Sequence, residues 1–453
     1  CARSPKRLRR VRVEIDMSET NRPIFPAIHL PQFADEPLPE VVTAKLHHPV
    51  TQALDDVASA TRAALEGSHR FKELPAGSRV AITCGSRGIQ SMPLVVATSV
   101  TWLKEQGFLP FIVPAMGSHG GARAESQTAL LAELGYTAQS MGCKIESSME
   151  VVQIGTTSHG IPVWIDKKAS EADAILIVNR IKAHTSFDRE IESGLSKMVA
   201  IGLGKAEGAR LIHRLGATGY LDVLPEWAGI AIAAAPIAYA IGIVENAEKR
   251  AAIIEGTEPE DIATTDARLL PVAKANTPKL PFAQIDVLVV ERIGKNISGT
   301  GMDTGVIGRS DIRGRPSQDN PLIHKLAVLD LTPEAHGNGL GLGLADFMTA
   351  EAANSLDLYA MYMNSCTSTF TERVRLPIVL ADEKEVLQAA AATCWRLNGG
   401  DARLCIIRST LHLGQILVSP VLAEELGDKG EILDSPKPLE FDDAGRLLTR
   451  CPE

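Results

Sequence analysis

At 453 residues the chain is longer than one ordinary hydrophobic core supports, so two domains are expected. Its 45% hydrophobic and 22% charged residues are those of a globular protein. A net charge of −9 with only 4% aromatic residues argues against a broad cationic, base-stacking face, and so against a general nucleic-acid binder. Residues 1–16 form a basic tail without the apolar core of a signal peptide; they are expected to be disordered or foreign to the natural chain, with Met17 as its start. Residues 17–50 are rich in proline and read as an irregular or short-strand lead-in. Apolar periodicity predicts a helix over 54–65. The runs 79–83 and 108–114 read as buried strands, each opening into a glycine loop, Gly85-Ser86-Arg87-Gly88 and Gly117-Ser118-His119-Gly120-Gly121. Helices are expected over 93–105, with Pro93 in its first turn, and over 123–134, stopped by Gly135.

Short strands follow over 150–154 and 162–165, joined by the turn-forming GTTSHG, and the apolar run 174–178 reads as another buried strand. The alternation of strand, loop and helix predicts an α/β fold: two α/β domains with mainly parallel sheets and a cofactor and substrate cleft between them. The apolar run 228–244 is slightly too short for a membrane span and is broken by Pro236, so a buried helix turning into a strand is expected. A helix-rich section from 206 to 227 and an αβ section complete an N-terminal catalytic domain over 17–275. Asn276 to Pro281 reads as the linker to a C-terminal α/β domain over 276–453 that closes the cleft. Within it, a strand over 285–291 opens into RIGKNISGTGMDTG, which holds Lys295 and Asp303. The run 326–331, a helix over 385–395 and strands near Cys405 and Ile416 follow. The glycine alternation at 337–343 lacks the GK[ST] of a phosphate-binding loop. The seven cysteines, Cys1, Cys84, Cys143, Cys366, Cys394, Cys405 and Cys451, show no Cys-x-x-Cys spacing and suit a reducing cytoplasm, the expected location.

In a parallel sheet, ligands bind where loops leave the carboxyl ends of the strands. Three such loops carry reactive side chains here. Arg87 offers a planar fork for a carboxylate or phosphate, or an interdomain salt bridge. His119 sits among glycines that let a ligand approach, and serves equally as a general base, a metal ligand or a solvated loop histidine. After the strand ending at Val178, the stretch NRIKAHTSFDREIESGLSKMVAIGLGKAEGARLIHR delivers His184, the Ser193-Gly194 turn, Lys197 and His213. Taken alone, Lys197 reads as a snorkelling lysine and His213 as an ordinary helix residue. Neither HExxH nor GxSxG is present, which leaves a zincin or an α/β-hydrolase without an anchor.

Together these residues resemble the nickel-pincer-nucleotide lactate racemase family over about 79–214. The resemblance rests on Gly85-Ser86-Arg87, Gly117-Ser118-His119, His184, Ser193-Gly194, Lys197 and His213, and on the segment GTTSHGIPV before His184. The chain departs from the family in SGLSK, GSRGI and GSHGG and in a longer interval from His184 to Lys197, the pattern of a divergent homologue. The resemblance implies a racemase or epimerase of a 2-hydroxy acid, with a 2-keto intermediate. Lys197 would tether the cofactor covalently, with Ser86, Arg87, Ser193 and Gly194 beside it. His213 would bind nickel, and His119 and His184 would be the acid/base pair. Arg87 and Lys295 would hold the substrate. The implied partners are a small 2-hydroxy acid and the cofactor-synthesis enzymes, with no nucleic acid and no membrane. Another hydride-transfer reaction on the same cofactor, a non-catalytic binding protein of the same fold, and a zinc hydrolase built on His119, His184 and His213 are the alternatives.

Overall fold

Strand Ala174–Arg180 shows how the sequence specifies the first sheet. Ile175 and Ile177 enter one core layer, while Ala174, Leu176 and Val178 enter the opposite one. That is the two-residue period of a strand buried on both faces. The computed structural model describes residues 22–49, 51–184, 189–314, 317–318 and 320–452. The basic tail 1–16, Met17 and Asp188 lie outside the described residues.

Six strands form this sheet, in the order Lys144–Ile145, Leu109–Pro114, Arg79–Cys84, Ala174–Arg180, Ile237–Glu245 and Ala251–Thr257. The first five run parallel and the last pairs antiparallel. From Arg79–Cys84 the chain builds outward to Leu109–Pro114, then returns to the other side of Arg79–Cys84 at Ala174–Arg180. Loops leaving the strands on either side of such a reversal diverge and open a crevice.

The second sheet has eight strands, in the order Ile378–Leu380, Phe347–Thr349, Leu322–Leu331, Gln284–Ile293, Leu404–Ile407, Gln415–Val418, Val42–Leu46 and Gly430–Ile432. Its first five strands are parallel and the remaining pairings antiparallel. It too reverses, between Gln284–Ile293 and Leu404–Ile407. Strand Val42–Leu46 belongs to this sheet, although the lead-in reads by position as part of the N-terminal unit. Val42, Ala44 and Leu46 fill the core beneath Leu288 and Val290, a pairing across the chain that no local pattern encodes.

The fold is α/β with mostly parallel sheets, as expected. The GTTSHG turn joins strands Val151–Thr156 and Pro162–Asp166 into a separate antiparallel hairpin. The apolar run 228–244 divides at Pro236 into helix Leu224–Ala234 and strand Ile237–Glu245. Among the described residues no helix is long and apolar enough to cross a membrane.

Candidate active site

The two reversal points face one another. Arg87, on the loop after Arg79–Cys84, donates from Nη1 to the backbone oxygen of Lys295, on the loop after Gln284–Ile293, at 3.4 Å. A Cβ on Gly299 would lie 3.0 Å from Arg87 Nη2, so glycine lets the second loop come this close. Lys295 in turn donates from Nζ to Asn364 Oδ1 at 2.5 Å.

His119 stands beside Arg87's loop, its Nδ1 hydrogen-bonded to the Ser86 hydroxyl. Its own loop is fixed by Gln127, whose amide donates to the carbonyls of Gly117 and His119 at 3.0 Å each. The ring therefore lines the cleft from a rigid support, with Nε2 left for a ligand.

The third loop is organised by a carboxylate that sequence reasoning passed over. Glu192 is 7% exposed and accepts from the backbone N–H of His184 at 2.5 Å and of Arg189 at 2.9 Å. Lys274, at the end of helix Ile262–Ala275, completes the arrangement with an ion pair to Glu192 at 2.5 Å. Buried Asp266 has the same role at the next turn of the chain, accepting from the N–H groups of Leu195 and Ser196 at 2.8 Å each. A Cβ at Gly194 would sit 2.1 Å from Asp266 Oδ1, so this glycine is dictated by the anchor beneath it. Glu192→Gln keeps the shape but removes the charge behind these bonds, each of a kind contributing about 1.5–3 kcal/mol. Hydrogen exchange on that variant should show the His184 and Arg189 amides losing protection while the sheet amides keep theirs.

Lys197 closes the short helix Leu195–Lys197 and is followed at once by the π-helical turn Met198–Gly202. A second π-helical turn, Gly219–Val223, carries Tyr220. Such turns widen a helix and recur at functional sites. His213 lies on helix Lys205–Arg214, and Tyr220 stacks on it with centroids 5.6 Å apart and planes at 21°. The same phenol ring lies 5.5 Å from His184, so Tyr220 links the two imidazoles. No local spacing would have found it, because the helix of His213 ends at Arg214 and the chain turns at Gly216, with φ 55°, before the π-helical turn that carries Tyr220. Phe370 packs on Tyr220, and Arg373 lies over Phe370, 4.5 Å from the ring centroid, while paired with buried Asp311 at 2.6 Å.

The structure brings Arg87, His119, Lys197, His213 and Lys295 within electrostatic reach of one another. Burial, then the cations Arg87, Lys295 and Lys197, push His119 down to about 4; although its side chain is exposed, the exposure is into a cleft walled by protein. Burial and Lys197 likewise take His213 down to about 4 and hold His184 well below its usual range. All three imidazoles are therefore neutral at pH 7. Burial, with Lys182 and Arg87 nearby, lowers Lys197 to about 7, and burial with Arg87 lowers Lys295 to about 8. Lys197 has neither hydrogen bond nor ion pair among the described residues, and His213 Nδ1 is buried without a hydrogen-bond partner. Ser193 exchanges backbone hydrogen bonds with Lys182 at 2.8 and 3.3 Å, which ties the Ser-Gly turn back to the His184 loop. Among the described residues no group of three or more His, Cys, Asp or Glu is disposed to hold a metal ion.

Comparison with known proteins matches residues 33–218 to the lactate racemase N-terminal domain. The lactate racemase apoprotein from Thermoanaerobacterium thermosaccharolyticum is a structural neighbour at 13% identity and a TM-score of 0.49, covering 86% of this chain and 98% of that one. No curated protein matches significantly in sequence.

Proposed function

Because residues 33–218 match the lactate racemase N-terminal domain family, we propose that the chain is a 2-hydroxy acid racemase or epimerase that uses a lysine-tethered nickel-pincer nucleotide. The observation that carries this reading is the pairing of Lys197 with His213 in one cleft. Lys197 is a desolvated amine that makes no ion pair among the described residues, suited to covalent attachment. His213 has a buried ring nitrogen without a hydrogen-bond partner, suited to a metal that brings its other donors with it. Their fit to such a group is therefore good, with Ser86, Arg87, Ser193 and Gly194 on the loops beside it. When bound, the group supplies a hydride acceptor for the substrate's C2.

The chain's own residues account for the rest of the chemistry. Arg87 and Lys295 fix the substrate carboxylate from opposite loops. His119 and His184, both neutral at pH 7, are each able to take the hydroxyl proton and give it back, one for each enantiomer, as a 2-keto acid forms and is consumed. Ser86 both donates and accepts hydrogen bonds, so it keeps its contact with His119 Nδ1 as that ring gains and loses a proton. The N-terminal unit over 17–275, with Val42–Leu46 lent to the other sheet, would bind the cofactor, and the C-terminal unit over 276–453 would close the cleft through Lys295. A zinc hydrolase gains no support, since His119, His184 and His213 form no ligand cluster.

The deciding measurement is the intact mass of protein produced together with the cofactor-synthesis enzymes. An adduct on Lys197 containing nickel and sulfur is expected, and an unmodified mass with bound zinc overturns the reading. Given the adduct, single-enantiomer 2-hydroxy acids should interconvert, and His119→Asn and His184→Asn should each lower kcat about 10²–10⁴-fold, the usual contribution of an acid/base group.

A further inference from the structure

The ring of His213, the nickel ligand of the racemase reading, lacks the usual support. A metal-binding histidine ordinarily donates its second ring nitrogen to a carboxylate or a carbonyl, and that bond fixes the plane of the ring. Among the described residues no hydrogen bond reaches either ring nitrogen of His213, and Nδ1 is buried without a partner. The backbone is fixed, since the His213 carbonyl accepts from the Thr369 hydroxyl at 2.9 Å. Rotation of the imidazole about its last side-chain bond, a broad and weakly hindered torsion, is left to packing.

Tyr220 supplies that packing. Its ring and the imidazole lie 21° from parallel with centroids 5.6 Å apart, within the range of a favourable offset stack. Glycine makes the approach possible: a Cβ on Gly219 would run into the Ile212 carbonyl of the helix that carries His213. Without that side chain, the π-helical turn Gly219–Val223 closes on the helix and its second residue covers the imidazole. Tyr220 is itself held in place. Phe370 packs on it with centroids 6.4 Å apart, and Leu221, Ile312 and Phe370 form a small apolar cluster against it. His184 tilts against the same phenol ring at 5.5 Å and 54°. A ring in contact with one phenyl group and two imidazoles has little freedom to turn, and it passes that restraint to His213.

We infer that Tyr220 is a positioning residue whose aromatic face, in place of a hydrogen bond, fixes the plane of the His213 ring and so the direction of the lone pair it offers to a metal. This rests on the racemase reading for the metal, while the orientation of the ring is a property of the chain alone. The face and not the hydroxyl carries the effect, so Tyr220→Phe should behave as the unaltered protein and Tyr220→Leu should not. Two measurements test this on the full chain. Without cofactor, in protein labelled with ¹³C-histidine and assigned through His213→Gln, the ring protons of His213 should stand upfield in the unaltered protein and in Tyr220→Phe. In Tyr220→Leu they should move back towards the position of an unstacked histidine. In protein produced with the cofactor-synthesis enzymes, all three should carry the same Lys197 adduct by intact mass. EDTA should then strip nickel from Tyr220→Leu about 10–100-fold faster, the range by which metal affinity falls when the group orienting a ligand is lost. Nickel held as firmly by Tyr220→Leu as by the unaltered protein overturns the inference, as does a His213 resonance that does not move. Tyr220→Phe failing as Tyr220→Leu does also overturns it, because the hydroxyl is then the acting group. Should circular dichroism show Tyr220→Leu unfolded, Tyr220→Met is held to the same outcomes. An unaltered protein without the nickel-bearing adduct counts against the racemase reading instead, and the cofactor-free resonances still decide whether Tyr220 sets the ring.

Discussion

Lys197→Ala is expected to abolish covalent loading and with it all measurable activity, while the protein remains folded. The methylene stem leaves a gap at the edge of a π-helical turn, but no salt bridge or hydrogen bond is lost, since the amine has none among the described residues. Lys197→Arg is expected to be as inactive as alanine, because a guanidinium keeps the positive charge and is protonated at every accessible pH. The sign of the lysine's own titration gives an independent check. With a folded value of about 7 against the usual 10.5, Lys197 is protonated and inert below pH 7 and a free amine above it. A limiting amount of an amine-reactive reagent should therefore label Lys197 ahead of surface lysines between pH 7 and 9, with a midpoint near 7, as read by peptide mass spectrometry. Labelling that follows the surface lysines across this range would remove the basis for its role as a nucleophile. The same depression means that the folded state loses stability as pH falls from 10.5 towards 7, where only the unfolded chain takes up the proton.

The largest expected effect on stability comes from Lys205. Its ammonium and the Asp166 carboxylate, both 0% exposed, form an ion pair at 2.6 Å, and Lys205 also donates to the Pro114 carbonyl. One side chain thus joins the start of the helix that carries His213, the end of strand Pro162–Asp166, and the strand that leads to His119. Lys205→Met leaves a buried carboxylate without its partner, and losses of about 3–5 kcal/mol are typical of such changes. Urea denaturation should show a loss of that order. Adding Asp166→Asn should recover a large share of it, because the neutral amide no longer needs a counter-charge and still caps helix Lys167–Ser170 through Ala169 N. If the double variant is no more stable than Lys205→Met, the loss came from packing and not from the stranded charge.

Much of the molecule was legible from its residues. Strand Ala174–Arg180 announces itself as an apolar run buried on both faces, and Pro236 marks where the helix Leu224–Ala234 yields to the strand Ile237–Glu245. Such signals work because neighbouring residues carry them: strand period, glycine after a strand, proline at a boundary. Arg87, His119, His184 and Lys295 could be singled out for the same reason, since the loops at strand ends are local features of the chain, whereas Lys197 and His213 lie on helices and stood out only through the family resemblance.

What surrounds those side chains emerges only on folding. Val42–Leu46 joins the second sheet because its apolar side chains find their cover beside Gln415–Val418, far along the chain. Glu192 and Asp266 look like ordinary acidic residues, and become anchors only where burial places backbone N–H groups against them. The low proton affinities of His119, His184 and Lys197 follow from desolvation and from cations brought together across two sheets. Local sequence patterns are thus enough to say which reactive groups the loops carry. Their protonation and their partners come from the packed fold, because each depends on charge and solvent exclusion contributed by residues remote in the chain.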